Sequence, residues 1–93
     1  MEVELTHSNR KDKRYEVRIN GKKSIHFGSK NGQTFIDHGD IKKKDAWLAR
    51  HRVNENWSDP MTAGYWSRWL LWNKRDIQRS MELLERRKEF KFV

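Results

Sequence analysis

The chain has 93 residues, enough for one compact domain and too few for two. Hydrophobic residues make up 34% and charged residues 37%; the formal charge of +8 and pI near 10.1 favour anionic partners, nucleic acid before acidic membranes or proteins. With no cysteine there is neither a disulfide framework nor a thiolate metal site, and with no long apolar run neither a secretory signal nor a membrane span is expected.

Glu2–Thr6 alternates polar and apolar residues, as a half-buried strand does, and a polar turn follows. Arg14–Asn20 alternates again, with Tyr15, Val17 and Ile19 on one face. Asn20-Gly21 is the favoured pair for a type I′ hairpin, in which both central residues need positive φ. The return run, Lys22–Gly28, points Ile25 and Phe27 inward. After a second turn at Ser29–Gly32, the segment QTFID reads as one more short strand, and the glycines at 21, 28, 32 and 39 are assigned to turns.

Asp40 is placed to cap a helix from Ile41 to about Val53, whose wheel groups Ile41, Lys44, Trp47, Leu48 and His51 against Lys43 and Arg50. Asn54–Lys74 holds four of the five tryptophans and the only proline. Its pattern predicts a helix starting at Pro60, capped by Ser58 or Asp59, with Met61, Ala63, Tyr65, Trp66, Trp69, Leu70 and Trp72 on an arc of about 200°. A helix so apolar must be wrapped by the rest of the chain or by a partner, and Gly64 within it points to a close neighbour. A last helix, Asp76 to about Lys88, carries a seam of Ile77, Met81 and Leu84. Its outer face mixes Arg79 and Arg86 with Glu82, Glu85 and Glu89, allowing pairs such as Glu82–Arg86. Strands first and helices after give an α+β fold: an N-terminal antiparallel β-meander of three or four short strands followed by three helices. The whole is a single basic domain, with the meander in 1–39 and the helical part in 40–93.

The positive charge collects at the two ends. Residues 1–33 and 61–93 each carry eight Lys/Arg against four Asp/Glu, whereas 34–60 carries five of each. Arg10, Lys11, Arg14, Lys42, Lys43, Arg50, Arg75 and Arg79 are the candidate phosphate contacts, since cations at this density neutralise phosphates without reading sequence. Tyr65, Trp66, Trp69, Ile77, Met81 and Leu84 are the candidate interface, with a symmetric homodimer as one assembly. No nucleophile motif or glycine-rich phosphate loop is present, so no catalytic residue, cofactor, metal site or small-molecule substrate is expected. His38, Asp40 and His51 in a hairpin-then-helix order suggest, distantly, a metal-dependent nuclease; a hydrogen-bonded core position is the better reading of His51. Glu55 and Asp59 flank Trp57, and capping or pairing with Arg50 or Arg52 suits them better than acid catalysis.

Taken as a whole, HGDIKKKDAWLARHRVNENWSDPMTAGYWSRWLLWNK, preceded by SIHFGSKNGQTFID, resembles a family of short basic proteins of large DNA viruses, the marseillevirus, iridovirus, phycodnavirus and mimivirus relatives. The matching positions are Ile25 to Gly28, His38 and Asp40, Trp47, Arg50-His51, Glu55, Trp57, Asp59, and Thr62 to Lys74. Ile36 and Arg75 depart from the pattern, standing where Thr and Pro are usual. The resemblance implies origin more than mechanism: a viral protein acting in the virion, the cytoplasmic factory or the host nucleus. Charge and resemblance together give the expectation of a non-enzymatic accessory or packaged virion protein that binds nucleic acid, with DNA favoured, without sequence specificity. A protein–protein interaction module is the alternative.

Overall fold

The computed structural model describes residues 1–88 and 90–93, with only the backbone of Lys88. The expected outer-face charge at Glu89 lies outside the described residues.

Three strands open the chain: β1 (Glu2–His7), β2 (Lys13–Ile19) and β3 (Lys23–Ser29). They pair antiparallel, with Val3 opposite Ile19 and Tyr15 opposite Phe27. The β2–β3 connection is the expected hairpin, with Asn20 at φ 51° and Gly21 at φ 68°. The fourth strand is not the one expected. QTFID instead forms a single helical turn, α1 (Phe35–His38), and the sheet is completed by β4 (Lys91–Phe92), which lies parallel to β1 and gives the order β3-β2-β1-β4. The local reason is visible at Thr34 and Asp37. The Asp37 carboxylate accepts the Thr34 backbone N–H at 2.7 Å and the Thr34 hydroxyl at 2.9 Å, a side-chain bond that competes with strand pairing. Gly39, left-handed at φ 63°, ends the turn.

Helix α2 (Ile41–Arg52) begins where expected. The Asp40 carboxylate accepts the backbone N–H groups of Lys42 and Lys43. The tryptophan helix starts later than the proline suggests. Thr62 is its cap, accepting the Tyr65 N–H, and α3 (Ala63–Trp66) runs directly into a π-helical turn over Ser67–Leu71, closed by the Trp72 N–H on the Ser67 carbonyl at 3.1 Å. Pro60 stays outside the helix because its carbonyl is needed elsewhere: it accepts the Trp66 indole N–H at 2.7 Å. Trp69 donates likewise to the Trp57 carbonyl at 2.9 Å, so indole hydrogen bonds fix the irregular link between α2 and α3. Helix α4 (Ile77–Lys88) follows. Leu84 and Ser80 are its buried positions, Ile77 and Met81 are partly buried, and among the described residues no Glu82–Arg86 pair forms.

One core joins sheet and helices. Val3, Val17, Ile19, Ile25 and Phe27 of the sheet meet Phe35, Tyr65, Trp66, Leu70, Leu71, Trp72, Leu84 and Phe90. Six aromatic rings, those of Phe27, Phe35, Tyr65, Trp66, Trp72 and Phe90, are buried in this core. Burial of Tyr65 drives its hydroxyl pKa up to about 12. Close approach of helix to sheet is secured at Gly28. This residue lies inside β3 rather than in a turn, at φ 79°, and a methyl group there would sit 2.9 Å from the Leu71 side chain.

Candidate functional site

A cleft of about 470 Å³ opens between the end of β3, the Gly32–Thr34 turn, α2 and α3. Leu71, Trp47 and Trp72 give its walls an apolar lining; Lys13, Arg50 and Glu55 supply charge beside His51. A shallower hollow of about 210 Å³, bordered by His38, Lys43 and Ala46, shares Gln33, Arg50 and Trp72 with it, so the two adjoin along α2.

The cleft is built on stacked rings. Trp47 stacks on His51 at 4.2 Å between centroids and on Trp72 at 4.8 Å, the two indoles tilted by only 8°. The π-helical turn contributes here, because inserting one residue per turn rotates everything after it, Trp72 included, away from a regular helical wheel. Below the stack, the Glu55 carboxylate faces His51 Nδ1 at 3.4 Å and accepts the Trp57 indole N–H at 2.9 Å. Gly64 gives it room: a methyl group there would lie 2.8 Å from the carboxylate. The close neighbour expected of Gly64 is thus an acid side chain. His51 is correspondingly not a core histidine, since its side chain remains 38% exposed at the cleft rim.

A second device secures α2 to the tryptophan helix. Lys44 donates to the Asn73 carbonyl at 2.7 Å and lies over the Phe35 ring, and Arg68 donates to the Trp72 carbonyl at 3.1 Å while lying over the Trp69 and Trp57 rings. Two cations thereby satisfy carbonyls at the C-terminal end of that helix, where the macrodipole favours positive charge. Burial lowers the pKa of both, and for Lys44 the nearby charges of Arg68 and Lys74 push the same way.

The expected phosphate contacts divide. Arg14 is already committed: its guanidinium grips Asp37 through two bonds of 2.6 and 2.7 Å, raising its own pKa and holding the Asp37 carboxyl well below the usual carboxylate range. Lys42, Lys43 and Arg50 stand exposed on α2, and none is in an ion pair among the described residues. Arg75 lies beside Gly39, just ahead of the α2 cap. Arg10 and Lys11 are exposed on the β1–β2 turn and Arg79 on α4. Lys13, Gln33 and Ser67 of the cleft were missed, because their convergence depends on a turn and two helices meeting the end of a strand. The one local clue was Glu-x-Trp at 55–57, next to a glycine-containing helix.

The interface expectation is largely corrected. Tyr65, Trp66 and Leu84 are at most 2% exposed and leave no surface for a partner, while Trp69, Ile77 and Met81 are partly buried against the core. His38, Asp40 and His51 are not brought together. Asp40 caps the first turn of α2 and His51 sits in its last, about 16 Å apart at 1.5 Å per residue. His38 Nδ1 accepts the Asp40 backbone N–H at 2.9 Å. No cluster of metal-ligating side chains occurs among the described residues, and no described helix is long and apolar enough to cross a membrane. Asp59 forms no acid pair with Glu55, which is bonded to His51 and Trp57; its carboxylate accepts the Met61 N–H instead.

Fold and surface define a small α+β protein with a basic helix laid beside an aromatic cleft. Within that class the chain belongs to the family of unknown function DUF5754, whose model matches residues 3–51. The matched span takes in the meander, α1 and nearly all of α2, and stops short of the tryptophan helix. No curated protein and no solved structure matches the chain.

Proposed function

We propose that this chain binds nucleic-acid phosphates, DNA in particular, without reading sequence, as a non-enzymatic accessory or packaged virion protein of a large DNA virus. The observation that carries the reading is the placement of the α2 cations. Lys42 and Lys43 occupy the first turn, which holds no acidic residue, and Arg50 follows two turns later, all exposed and without an acid partner. Cations in a first turn oppose the helix macrodipole by about 0.3–1 kcal/mol each, so they serve the fold poorly. They serve an anion well, because exposed lysines there add to the potential of the helix terminus. Arg75, beside Gly39, extends the same positive surface. Such a protein would act in the virion, the viral factory or the host nucleus.

The test is binding of labelled duplex DNA across a salt series. Each phosphate neutralised should add about 0.9 to the slope of log affinity against log salt. A slope of several, unchanged between unrelated sequences, is expected; affinity that is flat in salt would refute the reading.

A second reading, docking of a protein partner or a second copy, is favoured by one feature: a groove of about 340 Å³ whose accessible walls are Trp69, Leu83 and Arg87, with the buried Leu84 at its floor. Light scattering at high concentration checks self-association directly, and a monomer would remove the homodimer.

A further inference from the structure

We propose that the cleft between β3, α2 and α3 receives one unpaired nucleotide of a strand, with its base inside against Glu55 and its phosphate at Arg50 and Lys13. The inference rests on the nucleic-acid reading and deepens it, since it assigns the cleft a ligand that duplex binding alone does not require.

Size comes first. About 470 Å³ is in the range of small-ligand sites and accommodates a single nucleotide but not a duplex. Chemistry comes second. Trp47 and His51, stacked on one another and partly exposed where Leu71 and Trp72 are buried, give the cleft aromatic surface for a base, and the cations Arg50 and Lys13 suit its phosphate. Third is the carboxylate. Glu55 accepts one bond from Trp57 and faces His51, yet its side chain is 28% exposed and its oxygens have further acceptor capacity. An acid in a cationic cleft is out of place for a bare phosphate site. It matches an amino donor on a base edge, as cytosine presents and thymine does not. Gly64 is the fourth observation, because any larger residue there would displace that carboxylate.

The test compares short single strands, oligodeoxycytidine and oligodeoxythymidine, with a duplex of equal length, by fluorescence anisotropy at fixed salt and neutral pH. Cytidine strands should bind about tenfold more tightly than thymidine strands. Glu55→Gln should erase that preference without weakening duplex binding, and Arg50→Gln, at an exposed position that folding tolerates, should weaken both strands. Circular dichroism on each variant confirms the fold. Equal binding of the two strands, with Glu55→Gln indistinguishable from the parent, would overturn the cleft assignment while duplex binding still stood. Absence of any binding at low salt, duplex included, would overturn both readings.

Discussion

Helix α2 and the tryptophan helix are joined through side chains and divide the molecule's tasks between them. The tryptophan helix buries Tyr65, Trp66, Leu70 and Leu71 almost completely, and its indole N–H groups hold the chain that precedes it. Helix α2 has no buried residue at all. It is attached through the half-buried Lys44 and Trp47, and turns Lys42, Lys43 and Arg50 outward. The lesson is a separation of stability from charge: one helix supplies apolar burial, and the other displays cations that the core does not need.

That separation can be broken most severely at Trp66. Trp66→Ala removes a fully buried ring and the bond to Pro60, and should cost about 3–5 kcal/mol in denaturant unfolding. For a chain of this size that is a large fraction of its total stability. An unchanged midpoint would mean the tryptophan helix does not supply the burial that holds the fold.

Gly28→Ala tests the contact between that helix and the sheet. The added methyl meets Leu71 at 2.9 Å and the Arg14 side chain at 3.3 Å, on backbone with positive φ. A loss of about 1–3 kcal/mol is expected, with Gly21→Ala, which meets nothing within 4 Å, as the control for φ alone.

Asp37→Asn tests the Arg14 ion pair. The folded-state pKa of Asp37 is depressed, chiefly by the Arg14 guanidinium, so its contribution is complete above the ordinary carboxylate value near about 4 and is lost as pH falls through the depressed one. The substitution should cost about 1 kcal/mol at neutral pH, discounted for partial exposure, and the difference from the parent should shrink in acid. A pH-independent difference would assign the effect to the hydrogen bonds with Thr34 rather than to charge.

The smallest effect on stability, and the sharpest test of the separation, is the triple replacement of Lys42, Lys43 and Arg50 by alanine. Stability should stay within about 0.5 kcal/mol per site or rise slightly, since two cations leave a first turn. The salt slope of DNA binding should fall by about 2–3. Loss of stability without a change in slope would reverse the roles given to the two helices.

Much of this fold was legible because its signals are local. Asn20-Gly21 specifies a turn through two φ values, Asp40 caps the helix that follows it, and the inward sides of β2 and β3 follow from strict alternation. The start of α3 was misread because a proline suits a first helical turn, whereas here distant indoles compete for that segment's carbonyls. The apolar inventory read as interface was core, since periodicity reports which residues need covering and not what covers them.

By itself, then, the sequence determined the α+β class, the hairpin, the caps and the surplus of positive charge, all of which are set by neighbouring residues or by composition. Only the tertiary structure decided that the last strand comes from the C-terminal end, that Arg14 is neutralised by Asp37, and that Glu55, His51 and Arg50 share a cleft with Lys13. Each of these joins residues far apart in the chain. Their proximity is set by how the shared core buries its aromatic rings, which no local pattern encodes.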